Sequence, residues 1–190
     1  MKWFLPFLAF IFIGELIAKY EYALLHHINV GFYYLIAIAE SIFYSFIFYQ
    51  LSNKSTLKKA TLFFAFNSVA AYIIGFIFFR NDHSYFLPSL IISGFCFAVI
   101  ALWYIYLKFV TDDDETLLIN DPGFWIALGV SLFFSGTSIV FSLYNVIAKN
   151  NLNLFGIKLY NFVPRILCIV LYASISIAII LCKKKKTISS

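Results

Sequence analysis

Charge is what this sequence has least of. Only 12% of its 190 residues are Asp, Glu, Lys or Arg, against about 25% in a soluble domain. Apolar residues make up 63%, and mean hydropathy is +0.91. A water-soluble chain of this size cannot bury so much apolar surface, so a bilayer must be the solvent for much of it. Catalytic signatures are missing too. There is no G-x-S-x-G, no H-E-x-x-H, and neither histidine nor aspartate inside an apolar run. These gaps exclude nucleophile-elbow hydrolases, zincins and aspartyl intramembrane proteases, and the chain is read as not an enzyme. The cysteines are Cys96, Cys168 and Cys182, all within apolar runs and without CxxC or Cys/His spacing. They read as small buried hydrophobes, with no metal and no cofactor expected. The prolines lie near the starts of runs, and no internal repeat is evident.

What is present is a series of apolar runs, each near the roughly 20 residues that a spanning helix needs. They cover about 3–20, 29–50, 60–79, 85–110, 123–147 and 160–182. None alternates with period two, which excludes membrane strands. The expected fold is therefore all-α, a polytopic bundle of six spans. It forms a single transmembrane domain over 1–182, followed by a basic tail, 183–190. Glu15 interrupts the first run and no A-x-A-like site follows, so an uncleaved first helix is favoured over a signal peptide. Asp121 and Pro122 form a helix start, an N-cap followed by proline at the first helical position.

The basic residues lie at the ends of the runs, so the net charge of +5 points to membrane topology rather than to nucleic acid. Six spans put Lys2, Lys54, Lys58, Lys59, Lys108 and Lys183–Lys186 on one side, and Lys19, Arg80, Lys149, Lys158 and Arg165 on the other. The heavier side is expected to be cytoplasmic, with both termini there. Trp3, Trp103 and Trp125 then fall at the same interface, as an aromatic belt would.

Between the runs, His26 and His27 are adjacent and so do not share a helical face, which makes them a poor metal pair. Arg80–His83 reads as a tight polar turn. The acidic loop Asp112–Glu115 lacks the ligand spacing of a cation site and reads as solvated, with docking of a protein partner as its functional alternative.

Polar residues inside the runs are the candidate site. Glu40 sits mid-run, and a charge there costs about 2.5–3.5 kcal/mol on insertion scales. Glu15 enters from the other end to a similar depth. Arg165, Ser93 and Thr137 fall in the same half, so Arg165 is a possible counter-charge. Two readings stay open: a clamp fastening the first, second and sixth spans, or a polar pocket. Ala37, Ser41 and Ser45, together with Ala71 and Gly75, form small-residue stripes for close helix packing.

Glu15 in GELIAKY, Glu40 in YYLIAIAESIFYSFIFY, and DPGFWIALGVSLFFSG (Asp121–Gly136) resemble a family of small, uncharacterised polytopic membrane proteins of Bacteroidota. The similarity covers about residues 8–182. Pro122, Phe124, Trp125, Gly129, Ser135 and Gly136 are its most specific part, and Phe134 stands where a tyrosine is usual. The resemblance implies a bacterial inner-membrane location and no particular activity. The expected function is a sensory or ligand-binding module, or a subunit of a membrane complex. The alternative is a small proton-coupled transporter using the two glutamates.

Overall fold

The computed structural model describes residues 4–25, 30–52, 54–79, 86–111 and 118–188. The helices among them are α1 (Phe4–Leu25), α2 (Val30–Leu51), α3 (Ser55–Phe79), α4 (Phe86–Thr111), α5 (Pro122–Ser142), α6 (Tyr144–Lys149) and α7 (Leu159–Ile188). The fold is all-α apart from a two-stranded hairpin, β1 (Asn153–Leu154) and β2 (Ile157–Lys158). Among the described residues, five helices (α2, α3, α4, α5 and α7) are long and apolar enough to cross a membrane. His26, His27, the Arg80–His83 turn and the acidic loop 112–115 lie outside the described residues.

Several boundaries depart from the sequence reading. The third helix begins at Ser55, so Lys58 and Lys59 lie in its first turns rather than in a loop. The fifth run is broken at Leu143 into α5 and α6. The last helix continues through Ile188 and so includes the lysine block.

Successive helices pack antiparallel. The α4–α5 and α5–α7 contacts are the most extensive, α3 packs on both α2 and α4, and α1 touches mainly α2. One end of the bundle carries Lys183 and the start of α5. The other carries the β1–β2 hairpin.

The packing is inverted relative to a soluble protein. Large apolar side chains such as Phe63, Phe66, Phe95 and Ile169 point outward, whereas Ser41, Ser68, Ser93, Ser131, Ser138 and Ser174 are buried. Lipid is as apolar as leucine, so helices gain little by hiding large side chains from it. Close approach over small residues and hydroxyl bonding does the work instead. The core adds aromatic contacts: Tyr44 of α2, Phe97 of α4 and Phe134 of α5 meet with ring centroids 5.1–6.0 Å apart.

The start of α5 is fastened as its sequence foretells. Asp121 has an extended backbone and its Oδ1 accepts from the Gly123 amide at 3.1 Å. Its Oδ2 accepts from the Tyr104 hydroxyl at 3.3 Å and lies 3.5 Å from Lys108 Nζ. Asp121→Ala loses cap, hydroxyl partner and ion pair, and is expected to cost about 1–2 kcal/mol, seen as a lower thermal midpoint in detergent. Asp121→Asn keeps the first two and should retain most of the stability. Equal losses in the two variants would show that the cap contributes little.

Candidate functional site

Where α2, α3 and α4 meet, three serine hydroxyls from three helices form one cluster. Ser41 Oγ lies 3.2 Å from Ser68 Oγ and 3.4 Å from Ser93 Oγ. Ser68 and Ser93 are hydrogen-bonded to each other. All three side chains are buried. A hydroxyl both donates and accepts, so three of them satisfy one another in a ring, which is what an interior without water requires. One turn along α2, Ser45 donates back to the Ser41 carbonyl at 2.7 Å.

The cluster extends toward the hairpin end. The Tyr72 hydroxyl interacts with Ser93. Ser89, one turn before Ser93 on α4, donates to the Ala71 carbonyl at 3.0 Å. The hydroxyls of Ser89 and Tyr34 then converge on Gly75: a Cβ at that position would stand 2.6 Å and 2.8 Å from them. A larger residue there would have to displace these hydroxyls. Ala37 is buried in the same seam, packed with Tyr34 and Tyr72. The small-residue stripes of α2 and α3 thus sit at a real helix junction.

Glu40 borders this seam. It is half-buried on α2, next to Ser41, and lies within electrostatic reach of Tyr44 and Tyr72.

The other candidates disperse. Glu15 lies in α1, and its side chain is outside the description. The register is set by Gly14 against Ile36 and Phe7 stacked on Phe43. It brings Glu15 level with residue 35, five positions from Glu40, about 7.5 Å along the axis. Arg165 shares a face of α7 with Cys168 and Tyr172, which lie within electrostatic reach of Tyr44. Arg165 itself is exposed, and among the described residues it takes part in no ion pair. Thr137 is buried but donates to the carbonyls of Phe133 and Phe134 on its own helix, at 2.7 and 3.2 Å. Of the sequence-derived candidates, Ser41 and Ser93 come together, and Glu40 neighbours Ser41 along α2.

Sequence reasoning missed Ser68, Tyr72, Ser89 and Tyr34. A signal existed: Ser68 and Tyr72, like Ser89 and Ser93, are four residues apart and share a helical face. It also missed Gly94, Gly129 and Gly136 as packing positions. A Cβ at Gly94 would collide with Ser138 Oγ and lie 3.3 Å from the Phe134 carbonyl oxygen.

Two open cavities among the described residues are apolar. One of about 610 Å³ lies between α1 and α2, lined by Pro6, Phe7, Phe10, Ala39, Ile42, Phe43 and Phe46. A second, of about 350 Å³, lies between α2 and α3 near Ser45 and Leu62.

No protein-family model, curated protein or solved structure matches this chain.

Proposed function

We propose that this is a multi-pass protein of a bacterial cytoplasmic membrane, with α1 as a sixth span and both termini in the cytoplasm. It acts by contact with another molecule, as a ligand-sensing module or a subunit of a membrane complex. The observation that carries this reading is the state of the α2–α3–α4 seam. Its hydroxyls are engaged with one another and with backbone carbonyls, whereas two cavities among the described residues, one between α1 and α2 and one between α2 and α3, are apolar. A seam bonded in this way suits a rigid scaffold. An apolar recess suits a lipid-like or helical partner. The charge asymmetry between the two ends supports the orientation.

The second reading, a proton-coupled carrier, is favoured by one observation: Glu40 is half-buried on α2 within electrostatic reach of Tyr44 and Tyr72, and intramembrane carboxyls mark proton pathways in pumps and transporters. Reconstitution in liposomes under a pH gradient separates the two. The contact-module reading expects no proton flux above protein-free vesicles, and the same result for Glu40→Gln. Proton flux that disappears in Glu40→Gln would overturn it.

A further inference from the structure

The hairpin between α6 and α7 has an unusual tip. Helix α6 ends in a Schellman motif: the Leu152 amide donates to the Ile147 carbonyl and the Asn151 amide to the Ala148 carbonyl, with Asn151 at φ 48°. Asparagine tolerates that left-handed conformation. The chain then pairs Asn153 with Lys158 and Leu154 with Ile157. The turn is Phe155-Gly156, with φ of 50° and 76°, the positive values of a type I′ turn. Such a turn favours Asn, Asp or Gly at its first central position, and a bulky residue there is a genuine outlier. Phe155 occupies it and is 86% exposed.

Adjacent residues of a strand face opposite sides, so the hairpin has two faces. Leu154 and Ile157 form an apolar side, and Asn153 and Lys158 a polar one. The tip leans back over α7: the Phe155 ring lies 5.9 Å from that of Phe162. Nearby, Tyr144 and Tyr160 pair at 4.9 Å, and Lys158 Nζ stands 5.8 Å from the Tyr160 ring. Lys149, Lys158 and Arg165 are all exposed, and no carboxylate occurs from Ser142 to Arg165.

Height follows from helix geometry. A hydrocarbon core of about 30 Å above Lys183 spans about 20 residues of α7, which brings its far boundary to about residue 163. Phe162 and Tyr160 then stand at that boundary, Arg165 just inside it, and the hairpin among the headgroups.

We propose that the hairpin is a lipid-anchoring element: Phe155 and Leu154 enter the top of the acyl region of the outer leaflet, while Lys158 and Arg165 bind lipid phosphates. Arg165 reaches them by extending its head toward the interface, as long basic side chains near helix ends do. The exposed aromatic at a strained tip thus has the bilayer as its partner, and the cations, without an ion pair among the described residues, have the phosphates.

The proposal rests on the membrane-spanning reading, and the test keeps the two apart. Phe155→Trp is reconstituted in phosphatidylglycerol vesicles, with the parent chain giving the background from its native tryptophans. The added fluorescence should be quenched by phospholipid brominated high on the acyl chain and ignored by aqueous iodide. Leu154→Trp, on the apolar side of the hairpin and without the positive-φ constraint, should behave alike. Adding Lys158→Gln and Arg165→Gln should roughly halve the bromolipid quenching in anionic vesicles. Quenching of the added tryptophan by iodide and not by bromolipid would overturn the proposal. No effect of the double charge removal would overturn the phosphate contact. Were Trp103 and Trp125 of the parent also untouched by bromolipid, the membrane-spanning reading would fall with it.

Discussion

Gly129→Leu is expected to abolish the folded bundle, and Gly129→Ala to weaken it by about 1–3 kcal/mol, the usual range for overpacking a close contact. A Cβ at Gly129 would stand 2.8 Å from Ser174 Cβ, 3.1 Å from Ser174 Oγ and 3.4 Å from Leu171 Cδ1. The obstructing Cβ is fixed to the α7 backbone, so no rotamer change can clear it and α7 itself must move. Leucine adds three more carbons to the clash. Helices α5 and α7 share one of the most extensive interfaces in the bundle, and lipid supplies no hydrophobic force to hold them together once their surfaces cease to fit. Gly129→Leu should therefore elute as aggregate on size exclusion in mild detergent, and Gly129→Ala as a monodisperse species with a lower thermal midpoint. Ser174→Gly removes the obstructing atoms, so the cost of Gly129→Ala should shrink in that background, a coupling that a double-mutant cycle isolates. Unchanged cost there would mean that the contact does not limit α5–α7 approach.

The second large effect concerns the hydroxyl cluster. Ser68→Ala deprives Ser41 and Ser93 of a partner in a place without water, and an unsatisfied buried hydroxyl costs about 1–3 kcal/mol. Intramembrane hydrogen bonds average nearer 0.6 kcal/mol, with a maximum of about 1.7, because unfolded helices in lipid also find partners. The expected loss for each single variant is thus about 1 kcal/mol. Replacing Ser41, Ser68 and Ser93 by alanine together removes donors and acceptors alike and leaves no orphan among the three. The triple variant should lose clearly less than the sum of the singles, measured by unfolding in mixed denaturing detergent. Strict additivity would show that the three hydroxyls act independently.

The two experiments probe different seams with one logic. Between α5 and α7 the backbones approach because a side chain is missing. Among α2, α3 and α4 they approach because the side chains present are small and bond one another. Phe66 and Ile169 face outward from both seams, so substitutions such as Phe66→Leu or Ile169→Leu should matter little by comparison.

Much of the local structure was legible before any tertiary contact. Apolar runs of spanning length in a chain so poor in charge have one stable form in lipid, because every backbone amide must be satisfied within its own segment. The start of α5 was equally plain, since Asp121 and Pro122 answer the unpaired amides of a helix terminus. The stripes Ala37–Ser41–Ser45 and Ala71–Gly75 were legible as faces, because residues four apart lie one above another on a helix.

Periodicity names a face and says nothing about what meets it. Only the tertiary structure decided that Ser41 meets Ser68 and Ser93, that Glu40 lies within electrostatic reach of Tyr44 and Tyr72, and that Arg165 points outward. Depth along a helix is countable from sequence, but rotation about the axis and register against a neighbour come from side-chain packing. The hairpin after α6 was hidden for a related reason: strands of two residues carry no periodic signal, and Phe155 stands where turn chemistry asks for asparagine or glycine. The sequence alone determined that this chain forms long apolar helices for a bilayer. The tertiary structure decided which of its few polar groups are spent on holding them together, and left the β1–β2 end of the bundle with cations and an aromatic still facing outward.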